Sequence, residues 1–189
     1  MFRFIYQSAT AARLVASIIC LVLIALIFSH TSGIYWQVIG WEGEVKLLDM
    51  EFFHFYGAEY ADAFLDGMTV GRQALYLGFY LLAMCFAVAY FFVFSFAIAL
   101  IYRKVARGGR QPYWLIAVPF TAALFDLTEN GLISTMVVLP QTRIVSVPEL
   151  TSIASMVKWT ADGAVALLIL AGIAILVLRR FSDRTPATA

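Results

Sequence analysis

Asp126, Glu129 and Asn130 sit close together in an otherwise apolar stretch, Leu124-Phe125-Asp126-Leu127-Thr128-Glu129-Asn130-Gly131. Spaced i, i+3 and i+4, the three side chains share one face if the stretch is helical. Two carboxylates and an amide on one face can hold a proton, bind a cation, pair with an ammonium group, or act as general acid and base. Depth decides how much such chemistry costs. Ionisable groups inside an apolar segment are expensive to desolvate, so they point into the protein and mark a functional site.

A second polar pair, Lys158 and Asp162, is spaced i, i+4 in the apolar segment that follows. The connection from Pro140 to Pro148 is short, so the two segments form an antiparallel pair. Counted from a turn centred near Ile144, Glu129 and Lys158 are each about 15 residues away and Asp126 and Asp162 each about 18. At about 1.5 Å per residue these pairs lie at matching heights. Glu129 and Lys158 are therefore the expected ion pair, and Asp126 and Asp162 are left without a basic partner inside the apolar segments. Two unpaired carboxylates in low dielectric call for a proton, a cation, a ligand amine or Arg72. Tyr90 lies near the middle of its own apolar segment, where its phenol needs a partner that the acidic face can supply. Thr128 and Ser155 are further polar neighbours. The blander reading is that the cluster is glue, since interhelical hydrogen bonds in membranes contribute about 0.6 kcal/mol on average. The surplus of acid argues against it, because Asn or Ser would serve as glue.

The elements that must carry these groups follow from composition. Hydrophobic residues make up 62% of the 189 and charged residues 13%, with a mean hydropathy of +0.87. Soluble domains are roughly half apolar and a quarter charged, so the chain reads as an integral membrane protein. Four segments approach or exceed the about 20 apolar residues that a span requires. The expected spans are about 14–34, 74–102, 113–139 and 149–178. Arg3 and Arg13 precede a first apolar run, as in a signal peptide, but His30-Thr31-Ser32-Gly33 is a poor cleavage site, so the run is expected to remain as the first span.

Arg3 and Arg13, then Arg103, Lys104, Arg107 and Arg110, then Arg179, Arg180 and Arg184 all fall on one side of a four-span path. Positive flanks mark the cytoplasmic side, which places both termini there. The fold expected is an all-α, four-helix membrane bundle, N-in and C-in, in one domain over residues 1–189, in a bacterial plasma membrane. Residues 35–72 form the extracytoplasmic loop, acidic and rich in aromatics, with short amphipathic helices near 45–55 and 58–67 capping the bundle. The second span is dense in aromatics, with Tyr76 expected in the outer aromatic belt. Pro119 is expected to bend the third span one turn in, and Pro148 to open the fourth helix.

Within the loop, Glu51 and His54 stand at i, i+3, a weak candidate metal pair because the motif occurs once. No cofactor signature is present; bis-histidine haem would need both His30 and His54. Cys20 and Cys85 each lie near the middle of a span and read as buried, inert thiols, with no C-x-x-C pair for disulfide exchange. Gly-rich phosphate loops, nucleic-acid motifs and serine or cysteine triads are absent, so nucleic acid is not an expected partner. Three functions remain. The first is binding of a proton, a cation or the head of an amphiphile at Asp126, Glu129, Asn130, Lys158, Asp162 and Tyr90. The second is an accessory role in a larger complex or homo-oligomer. The third is lipid modification, with Asp126 and Glu129 as acid and base.

Overall fold

In hydrocarbon, a helix is the one open-chain structure that satisfies its own backbone hydrogen bonds, so long apolar runs fold helically. A computed structural model describes residues 1–39, 55, 57–66, 69–107, 109–139 and 146–182, and all regular structure among them is helical. The helices are α1 (Phe2–Ser8), α2 (Ala11–Ile39), α3 (Ala58–Leu65), α4 (Val70–Ala106), α5 (Ala117–Val138) and α6 (Ser146–Ser182). A 3₁₀ turn, Tyr113–Ile116, leads into α5. Four stretches, in α2, in α4, from the 3₁₀ turn through α5, and in α6, are long and apolar enough to cross a membrane.

The helices run further than hydropathy alone indicates, because charged flanks continue the same turns. Arg103 and Lys104 lie in the last turn of α4, and Arg179 and Arg180 in that of α6, where cations complement the helix dipole. The short α1 has no apolar run to announce it. It ends at an extended Ala9, and the Thr10 hydroxyl then accepts from the Arg13 amide at 3.2 Å to start α2.

Both prolines sit differently from expectation. Pro119 is the third residue of α5 rather than one turn inside a longer helix. Its missing N–H falls where no intrahelical bond is formed, and the break is taken by the 3₁₀ turn before it. Pro148 likewise lies in the first turn of α6, which begins two residues earlier at Ser146. Of the two loop helices expected, the one near 58–67 corresponds to α3, and the one near 45–55 falls outside the described residues.

α5 and α6 form the most extensive helix pair, and α4 packs against both. α2 packs along α4 and makes no comparable contact with α5 or α6. Alanines at the centre, Ala87, Ala122, Ala123 and Ala161, are buried around Tyr90. Small side chains there let the helix backbones approach closely. On the α3 side of this layer, Tyr76, Phe79, Tyr80, Ile133 and Met136 form a core with Ala61 and Leu65 of α3. Tyr76 is thus fully buried, its hydroxyl 3.0 Å from that of Tyr80, rather than facing outward as a residue of an aromatic belt does. A phenol partnered by another phenol has no need of the headgroup layer.

On the α1 side, Ile5 and Tyr6 pack with Ile98, Ala99, Leu115, Ile116 and Val165. Arg103 Nη1 donates to the Ala9 carbonyl at 2.9 Å and its guanidinium lies 5.3 Å from the Tyr6 ring centre. The Tyr6 hydroxyl donates to Gln111 at 3.1 Å. Burial pushes the Tyr6 phenol above its ordinary range, with the charge of Arg103 acting against that shift. α4 and α6 also meet closely at this end. A side chain at Gly172 would run into Ile101, and the Tyr102 hydroxyl donates to the Leu168 carbonyl at 3.0 Å.

Cys20 and Cys85 are exposed rather than buried. Their helices face outward at these positions, towards what would be lipid, so burial in a span's length is not burial in the protein.

Candidate functional site

The i, i+3, i+4 spacing on α5 does place Asp126, Glu129 and Asn130 together against α6. Glu129 and Asn130 are fully buried, at 0% and 1% exposure, and Lys158 at 7%. Lys158 Nζ is 2.5 Å from Glu129 Oε2, the pair expected from matched heights. The same ammonium lies 3.4 Å from Asp126 Oδ1. This corrects the expectation that Asp126 lacks a basic partner: a side chain four carbons long can reach across one helical turn and serve both acids.

Asp126 is the hub. Its Oδ1 also accepts from Asn130 Nδ2 at 2.9 Å, and its Oδ2 from the Tyr90 hydroxyl at 3.1 Å. Tyr90 comes from α4, so this one carboxylate ties three helices together. Trp159 lies beside the cluster, its ring centre 5.0 Å from Lys158 Nζ, within cation–π range.

Asp162 behaves differently. It lies one helical turn beyond Lys158 on α6, and its buried Oδ1 accepts no hydrogen bond among the described residues. Ser155 is buried, and its hydroxyl makes no hydrogen bond among them either. Thr128 is exposed and donates to the Leu124 carbonyl at 2.8 Å, away from the cluster. The Arg72 side chain, Glu51 and His54 fall outside the described residues. Among the described residues, no group of three or more His, Cys, Asp or Glu side chains is placed to hold a metal ion.

These polar groups open onto a cavity of about 1100 Å³. Asp126, Asn130, Lys158 and Asp162 supply most of its polar wall, and the rest is lined mainly by apolar residues of α2, α4 and α6. No protein-family model, curated protein or solved structure matches the chain. The site must therefore be read from its own chemistry.

That chemistry has two parts. Three carboxylates, Asp126, Glu129 and Asp162, cluster with one ammonium, Lys158, and two of them, Asp126 and Asp162, line the cavity beside it, so acids outnumber the base at the polar wall. Aromatic rings of Phe86, Tyr90, Phe94 and Trp159 stand around it, offering the negative π faces that attract cations. Sequence reasoning missed Trp159 and the whole contribution of α2. The first had a signal, because an aromatic residue adjoining the one intramembrane lysine is placed to touch it. The second has only a faint one: Leu21, Ala25 and Ser29 recur every four residues, which marks a face but not what it faces.

Proposed function

We propose that this chain is an integral membrane protein that binds an amphiphile, with the ligand's positively charged head held at the cluster of Asp126, Glu129, Asn130, Lys158, Asp162 and Tyr90. Both termini and the basic ends of α4 and α6 face the cytoplasm, and residues 35–72 lie on the other side. The bonds from Arg103 to Ala9 and from Arg179 Nη1 to the Val105 carbonyl, the latter 2.6 Å, support a shared basic end.

The observation that carries the reading is the joining of an acid-rich wall to a large apolar cavity. A site for a bare proton or metal cation has no use for that apolar lining. A site for a neutral lipid has no use for surplus carboxylate, which is costly to keep in low dielectric. An amphiphile with an ammonium head uses both: the head offsets the charge left over at Asp162, the aromatic faces surround it, and the chain fills the cavity.

The test compares hexadecylamine with hexadecanol in the purified protein held in lipid nanodiscs. A ligand that binds only the folded state raises the melting temperature. The amine is expected to raise Tm by several degrees at membrane mole fractions where the alcohol does nothing, and Asp162→Asn to abolish the shift. Equal stabilisation by both compounds, or by neither, would remove the case for a cationic head.

A further inference from the structure

Among the described residues, the cavity has a side that no helix closes. Leu21, Ala25 and Ser29 of α2 line one edge, and Ala166 and Leu170 of α6 line the other. Ala25, Ser29, Ala166 and Leu170 are exposed even though they line the cavity. Among the described residues there is no extensive contact between the helices that carry them, because α2 packs chiefly along α4. Every other neighbouring pair around the cavity, α2 with α4, α4 with α5, and α5 with α6, is packed together. The gap lies along the length of the apolar segments rather than at their ends. None of the residues in the most apolar window of α2 is buried, and its most extensive contact among the described helices is with α4.

We infer that the cavity is filled sideways from the bilayer through the gap between α2 and α6, and that its ligand is a single-chain amphiphile whose tail lies in that gap. This rests on the reading of the cluster as a site for a cationic head. Lipid tails are as apolar as the leucines and alanines of the gap. Moving a chain from bilayer to gap therefore changes little in hydrophobic free energy. The tail supplies the address and the head supplies the selectivity. A membrane-embedded amphiphile reaches the gap without its chain entering water, whereas a short water-soluble amine has no such route.

The order of events can be tested by closing the gap. In a Cys20→Ser/Cys85→Ser background, Ala25→Cys and Ala166→Cys place one thiol on each edge, and a membrane-permeant bifunctional methanethiosulfonate bridges them. Bridging before hexadecylamine is added should abolish the rise in Tm. Bridging afterwards should trap the amine and slow its release into acceptor vesicles at least tenfold. Filling the gap instead, with Ala25→Phe/Ala166→Phe, should weaken the response to hexadecylamine at least tenfold in mole fraction. Ethylamine from the aqueous phase should have no effect on the wild type.

If bridging or filling the gap leaves uptake and release unchanged, or if ethylamine stabilises as well as hexadecylamine, the lateral route is overturned while the cationic-head reading stands. If hexadecylamine fails to stabilise the wild type, both fall.

Discussion

Lys158 Nζ stands 2.5 Å from Glu129 Oε2 and 3.4 Å from Asp126 Oδ1, so one buried ammonium is shared by two carboxylates on the facing helix. Removing one partner from a buried ion pair leaves a charge without compensation, which costs about 3–5 kcal/mol, whereas replacing the pair with apolar or neutral groups is often close to neutral. Lys158→Met should therefore lower stability by several kcal/mol, and Glu129→Gln/Lys158→Met should recover most of that loss. Reversible unfolding in mixed micelles measures both. A double variant no more stable than the single one would show that Glu129 depends on something other than Lys158.

Tyr90 joins α4 to the cluster through a single hydrogen bond to Asp126, 3.1 Å long. Tyr90→Phe keeps the ring and its packing against Phe86 and Phe94 while deleting the donor. A loss of about 0.6 kcal/mol is expected, the average for an interhelical hydrogen bond in a membrane. Asp126→Asn should cost more, about 1–3 kcal/mol, because the carboxylate accepts from Tyr90, Asn130 and Lys158, and an amide cannot accept from all three equally. The order of the two losses, read from the same unfolding experiment, tests whether Asp126 is the hub.

Gly172 marks a close approach of α6 to α4, against Ile101 and Tyr102. The Ile101 side chain is β-branched and has little freedom to move aside. Gly172→Ala should therefore destabilise by about 1–3 kcal/mol through overpacking. The change should be rescued in part by Ile101→Ala, measured as a coupling in a double-mutant cycle.

Cys20 and Cys85 are exposed, yet both lie within stretches read as spanning the bilayer. A charged thiol reagent reacts with thiolate in water, and neither is present in hydrocarbon. In nanodiscs both thiols should resist a charged maleimide for hours, and both should label in minutes after unfolding in dodecyl sulfate. Rapid labelling in the bilayer would mean that these faces meet water.

The Tyr6 phenol sits above its ordinary range because of burial, so the folded state holds that proton more tightly than the unfolded chain does. Its contribution to stability is complete below the unfolded value of 10.0 and falls as pH rises from there towards the folded one. Tyr6→Phe should flatten the alkaline part of the stability curve and leave the neutral part nearly level, apart from the lost bond to Gln111. An unchanged alkaline slope would count against the packing of α1 onto α4.

The polar cluster was legible in the sequence because a short antiparallel turn fixes relative height, and height pairs Glu129 with Lys158. Helical spacing likewise put Asp126, Glu129 and Asn130 on one face. What height does not fix is reach: the sharing of Lys158 with Asp126 depends on a flexible side chain, which no count of residues supplies. Hydropathy located the four long apolar helices but not their ends, since the charged last turns of α4 and α6 remain helical. The gap beside α2 left only the faint trace of Leu21, Ala25 and Ser29 on one helical face. An apolar helix surface looks the same in sequence whether it meets lipid, another helix or a cavity, and Tyr76, Cys20 and Cys85 were misplaced for the same reason.

The most direct test of the cationic-head site is an experimental map of the protein in lipid nanodiscs with hexadecylamine in the bilayer. The expected result is an elongated density between α2 and α6 whose polar end meets Asp162 beside Trp159 and Tyr90. A map with α2 packed against α6, no density between them and the Asp162 carboxylate bonded to the protein's own groups would contradict it.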